Sequence, residues 1–184
     1  MFDLAIKNGF VVDPSARIYA KLNIGVKNGK IAAVTKDEIG GNAEIEAEGL
    51  IVTPGFIDMH IHEDPYDAEK DDFEFAISES MLKMGVTTVV GGNCGLGCGM
   101  GAMADPLEYL DAVDRRGYPV NIGMLAPHEK LREAFGNFSR YEPVGRDVIE
   151  KMAKRLQADL EGGCLGLSLG LEYYPGIDAA EASA

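Results

Sequence analysis

Two of the chain's three histidines stand two residues apart, as His60 and His62 in "GFIDMHIHEDPYD", Gly55 to Asp67. Neutral imidazole is a nitrogen donor that suits zinc, and a His-x-His pair can reach one ion, with carboxylate or thiolate completing the set. Two histidines that are simply hydrogen-bonded or solvated at a strand end would show the same spacing, so the pair alone leaves both readings open. Read as a strand, the stretch sorts by alternation: Asp58, His60 and His62 share one face, while Ile57, Met59 and Ile61 share the other. The apolar set is expected to pack against helices. The polar set is expected to carry chemistry, with Asp58 as the acceptor that fixes a histidine's tautomer.

A second candidate lies in "GVTTVVGGNCGLGCGMGAM", where Cys94 follows a strand pattern in a glycine-rich loop. A divalent cation deprotonates a coordinating thiol outright. Cys98 reads as a small residue without a role. The glycines do not make a phosphate loop, since no Gly-x-Gly-x-x-Gly opens a helix and no Gly-Lys-Ser/Thr is present. His128, in "GMLAPHEKLREAFG", is either a pocket-lining residue or a surface histidine at a helix start. Tyr173 and Tyr174 end "GCLGLSLGLEYYPG", where a phenol either hydrogen-bonds a substrate or covers a rim, and Cys164 at its start reads as core.

The elements that must position these residues change character at "TPG", Thr53 to Gly55. Before it, short apolar alternations separated by Asn8-Gly9 and Asn28-Gly29 predict hairpins and a small antiparallel β domain over residues 1–54. After it, strands and helices alternate. "FIDMHI", "VTTVV", "YPVNIGML" and "CLGLSLG" read as strands; "EKDDFEFAISESMLKMG", "DPLEYLDAVDRRG" and "GRDVIEKMAKRLQADLEGG" read as helices. The second helix has Asp105 as N-cap and Pro106 at its first position; the third carries Val148, Ile149, Met152, Ala153, Leu156 and Leu160 on one face. Alternation of this kind predicts βαβ units and a parallel sheet, either doubly wound or half of a (β/α)₈ barrel.

The formal charge of −13 over 184 residues disfavours nucleic-acid or anionic-membrane partners. No signal peptide or membrane-length apolar run is recognisable, which predicts a cytoplasmic protein. Three cysteines are an odd number, and reduced thiols or a metal ligand fit better than a disulfide framework.

Taken together, the β domain followed by "VTPGFIDMHIH" resembles the amidohydrolase superfamily. "GVTTVVGGNCG", "VNIGMLAPHEKLR" and "GCLGLSLGLEYYPG" are similar to the D-aminoacylases, the N-acyl-D-amino-acid deacylases. The resemblance implies an α/β fold, with a small N-terminal β-sandwich portion at 1–54 and the first four units of a (β/α)₈ barrel, truncated, at 55–184. It implies one or two zinc ions held by His60, His62 and Cys94, the cysteine standing where other amidohydrolases have a carbamylated lysine. It further implies support from Asp58, substrate contacts from His128 and Tyr173, and a small N-acyl amino acid as substrate. Two further histidine ligands, a catalytic aspartate and a carboxylate-binding arginine are expected beyond residue 184. The chain departs from the family at Pro127-His128, where Gly-His is usual, and at Cys98 with its extra glycines. Two alternatives stand beside this reading. A dihydroorotase or hydantoinase type shares the first motif but is disfavoured because "CLGLSLG" offers no lysine to carbamylate. A non-catalytic binding or assembly module would expose sheet edges and oligomerise.

Overall fold

The computed structural model describes residues 1–97, 105–136 and 144–172, and the chain divides into two units, Met1–Pro54 and Gly55–Ala184. The first unit is a single five-stranded sheet of β1 (Phe2–Asp13), β2 (Ile18–Lys27), β3 (Lys30–Thr35), β4 (Gly41–Glu46) and β5 (Ile51–Val52). Asn28 and Gly29 both adopt positive φ, 52° and 69°, the backbone that a two-residue hairpin turn requires between β2 and β3. Asn8-Gly9 is not a turn. Asn8 sits at φ 62° inside β1, where the register with β2 shifts, and its N–H donates to Asn23 Oδ1 at 2.7 Å, so the strand bulges and continues. The reversal falls later, at residues 14–17, where Asp13 Oδ1 accepts from the N–H groups of Ser15 and Ala16. The sheet is also not wholly antiparallel. β4 and β5 both pair with β1 in parallel, because the chain reaches them by crossing over rather than through a tight turn.

The second unit has a mixed α/β fold. Its strands are β6 (Phe56–Asp58), the pair β7 (Tyr66–Asp67) and β8 (Asp72–Phe73), then β9 (Val86–Gly91), β10 (Asn121–Met124), β11 (Ala126–Pro127) and β12 (Leu167–Ser168). Its helices are α1 (Ala76–Lys83), α2 (Pro106–Arg116), α3 (His128–Ala134) and α4 (Arg146–Glu161). β6, β9 and β10 lie side by side in parallel, and β11 pairs in parallel with β12. The Leu165 N–H to Met124 C=O bond, 2.8 Å, carries that pairing back to the end of β10. Successive strands are therefore neighbours with helices between them, the βαβ arrangement.

Local signals account for α2: Asp105 accepts from the Leu107 N–H at 2.9 Å, Pro106 opens the helix and Gly117 follows it. α4 packs Val148, Ile149, Met152 and Leu156 toward Leu131 and Val144, while Ala153 and Leu160 of the expected face are exposed. The helix expected over residues 69–85 is half hairpin. Asp67 Oδ1 accepts from the N–H groups of Glu69 and Lys70, and Asp71 turns at φ 50°, which closes β7 on β8 before α1 begins. α1 has no side-chain cap of its own. Asp64, fully buried, supplies one from a distance, accepting from the N–H groups of Ile77 (2.7 Å) and Ser78 (2.9 Å). Beside it, Tyr66, Phe73, Phe75, Tyr109 and Tyr118 form an aromatic cluster, with Phe73 edge-on to Tyr109 at 5.2 Å. Among the described residues no helix is long and apolar enough to cross a membrane.

Candidate metal centre

β6 is shorter than the sequence pattern suggests, and both histidines lie past its end. Asp58 Oδ1 accepts the backbone N–H of His60 at 3.0 Å, a local bond that turns the chain out of the strand. Asp58 thus braces the motif through the backbone; no bond from it to either imidazole is found among the described residues. Alternation does not persist to the strand's end. Ile61 is buried against Val89 and Val120, whereas Ile57 and Met59 (73%) are exposed rather than covered by helices.

β9 delivers the third residue. Its last glycines lead into a single 3₁₀ turn, Asn93–Gly95, in which Cys94 takes φ 58° and ψ 13°. A residue with a Cβ is uncommon there. The consequence is geometric: Cys94 Sγ comes to 3.4 Å from His60 Nε2, and the rings of His60 and His62 stand 6.1 Å apart at 79°. The donor atoms of His60, His62 and Cys94 all lie within 4.8 Å of one another. Two donors on one tetrahedral zinc, with bonds of about 2.05 Å to nitrogen and 2.3 Å to sulfur, would be separated by about 3.6 Å. The sulfur–nitrogen contact is already at that edge length, and soft thiolate with imidazole is a donor set that zinc accepts.

His128 is the first residue of α3 and is 3% exposed, so it is not a surface histidine. Tyr173, with Tyr174 and Cys98, lies outside the described residues. Four residues around the site escape a reading of the sequence: Glu63 and Asp64, which directly follow His62, Asn93, and Glu129. The acids sit in polar runs that look solvated, and nothing local marks them as buried. Glu129 is 1% exposed, and its carboxyl oxygens have no hydrogen-bond partner among the described residues. It occupies space left by Gly95, where a Cβ would lie 1.8 Å from Glu129 Oε2. Burial pushes its pKa up to about 7.

Residues 51–170, most of the chain, match the amidohydrolase family. The chain belongs to that family. A D-aminoacylase of Alcaligenes xylosoxydans xylosoxydans is 29% identical over 197 residues, covering 97% of this chain and 40% of the relative. The crystal structure of N-acyl-D-glutamate deacylase from Bordetella bronchiseptica, complexed with zinc and a phosphonate mimic of the tetrahedral intermediate, is 31% identical with a TM-score of 0.81. That match covers 98% of this chain and 41% of the other. A dihydroorotase of Aquifex aeolicus is 45% identical, but over 92 residues, 49% of this chain. This amidohydrolase chain spans about 40% of the length of the deacylases it matches.

Proposed function

We propose that this chain carries the His60, His62 and Cys94 portion of the metal centre of a zinc-dependent N-acyl-D-amino-acid deacylase. The observation that carries the reading is the convergence of those donors within 4.8 Å, beyond the C-terminal ends of two neighbouring parallel strands. Active sites of parallel α/β folds lie at that end. On this reading residues 1–54 are the β-sandwich portion, and residues 55–184 are the first four units of a (β/α)₈ barrel. The sequential parallel order of β6, β9 and β10, and the parallel pairing of β11 with β12, support it. The enzyme works in the cytoplasm, where thiols such as Cys94 stay reduced.

One or two zinc ions, when bound, polarise the amide carbonyl and acidify water. The chain's own residues set the conditions for this. Cys94 would contribute one negative charge to a bound divalent ion and the imidazoles none. Asp58 holds the His60 backbone at the strand exit. Tyr173 is assigned a substrate contact, and so is His128, from the start of α3. The aspartate that carries a proton to the leaving amine, together with further ligands, is assigned to residues beyond 184.

The dihydroorotase match over half the chain favours a second reading, hydrolysis of a cyclic amide. Against it stand the deacylase similarity along 97% of the chain and the absence of lysine between Cys164 and Gly170. The natural gene product, loaded with zinc, tests the choice against N-acetyl-D-amino acids, N-acetyl-L-amino acids and dihydroorotate. D-selective deacetylation abolished by His60→Ala supports the deacylase reading. Ring opening of dihydroorotate, or deacetylation indifferent to His60→Ala, would overturn it.

A further inference from the structure

His62 and Cys94 come from separate segments, yet the residues beside them are tied together twice. Glu63, 2% exposed, accepts the backbone N–H of Gly92 at Oε2, 2.9 Å away. Asn93, also buried, reaches in the opposite direction: its Nδ2 donates to the carbonyls of Ile61 (3.3 Å) and Val90 (2.7 Å). The two side chains therefore cross. The residue after His62 grips the turn that holds Cys94, and the residue before Cys94 grips the backbone just before His62. Gly91 is what admits the first of these, since a Cβ there would stand 2.5 Å from Glu63 Oε2.

The tie falls where backbone strain needs it. Cys94 holds a left-handed conformation that persists in a residue with a Cβ only when its surroundings impose it. Both side chains are shielded from water, so neither bond competes with solvent. Ile61 is further fixed by its own N–H bond to the Val90 carbonyl, 3.2 Å, which makes the backbone that Asn93 grips a rigid anchor.

We infer that Glu63 and Asn93 are a reciprocal pair of positioning residues that aims Cys94 Sγ at the ion shared with His60 and His62. The inference rests on the metal-centre reading above. Without the pair, the turn at Asn93–Gly95 relaxes and carries the sulfur away, leaving the histidines as a two-nitrogen site.

The test is a cobalt(II) titration of the 184-residue chain, following the thiolate-to-cobalt charge-transfer absorption, which the Cys94→Ser variant must lack. Glu63→Ala and Asn93→Ala are each expected to weaken cobalt binding about 10-fold to 100-fold and to lose most of that absorption. Glu63→Gln keeps an oxygen acceptor for the Gly92 N–H and is expected to retain the band at nearly the original affinity. Asp64→Asn, which disturbs the neighbouring helix cap and not the tie, is expected to lower stability while leaving the band intact, which separates positioning from folding. If Glu63→Ala does not fold by circular dichroism, Asn93→Ser breaks the same tie from the other side and is read in its place. Full band intensity and unchanged affinity in the Glu63 and Asn93 variants would overturn the inference, as would equal loss in Glu63→Gln. Absence of the band in the unsubstituted chain would overturn the metal centre itself, and the inference with it.

Discussion

Replacing Asp64 by alanine should destabilise the Gly55–Ala184 unit severely, because one buried carboxyl closes three hydrogen bonds. It accepts from the Ile77 N–H (2.7 Å), the Ser78 N–H (2.9 Å) and the Tyr118 hydroxyl (2.8 Å). The first two are first-turn donors of α1, whose own N-cap, Phe75, offers no side-chain acceptor. An exposed cap removed in this way costs about 1 kcal/mol, because water replaces it. Here water cannot. Ser78 is fully buried, and a buried donor left unsatisfied costs roughly 1–3 kcal/mol. The sum over two donors, with some relief at the partly buried Ile77, is about 2–4 kcal/mol. Asp64→Asn retains one acceptor oxygen and should lose about half of that. Urea unfolding followed by the near-ultraviolet dichroism of the buried tyrosines measures the loss, and amide hydrogen exchange at Ser78 locates it. A loss below about 1 kcal/mol, or unchanged protection at Ser78, would refute the reasoning that a remote cap starts α1.

Glu129 makes stability depend on pH. Burial raises its pKa from 4.5 to about 7, so between those values the folded chain holds a proton that the unfolded chain has released. Its contribution is complete below pH 4.5 and is lost as pH rises through 7. Glu129→Gln should flatten that part of the urea-midpoint profile of the metal-free chain between pH 5 and 8; an unchanged slope would contradict this. The two described cysteines should differ in reactivity. Burial pushes the Cys164 thiol up to about 11, so iodoacetamide at pH 8 should label the half-buried Cys94 first, and zinc should protect it, as peptide mapping would show. Labelling of Cys164 at the same rate would count against that assignment.

What could be read from the sequence was whatever its own neighbours decide. α2 has its cap, its proline and its terminal glycine within the element, and Asn28-Gly29 makes its turn unaided. The His-x-His motif and Cys94 were visible because spacing and residue type survive without knowledge of packing. Most of the elements that misread depend on partners far along the chain; the expected helix at 69–85 is the exception, undone by local turns. Asn8-Gly9 became a bulge because Asn23 takes its N–H and the Glu46 carboxyl takes its side-chain amide, 3.0 Å away. The expected helix at 69–85 lost its first half to side-chain turns at Asp67 and Asp71. Glu63, Asp64 and Glu129 look like solvated acids in "HEDPYD" and "PHEKLR", and only the approach of Gly92, α1 and Gly95 buries them. Strand alternation was expected to set His60 and His62 on one face, but β6 ends at Asp58, before both, and the donor atoms of His60 and His62 come within 4.8 Å in the segment that follows it.

The most direct test of the metal centre is zinc K-edge X-ray absorption of the chain loaded with less than one equivalent of zinc. The expected shell holds one sulfur at about 2.3 Å together with nitrogen or oxygen at about 2.0–2.1 Å, and the sulfur disappears in Cys94→Ser. A shell of light atoms alone, unchanged by Cys94→Ser, would contradict it.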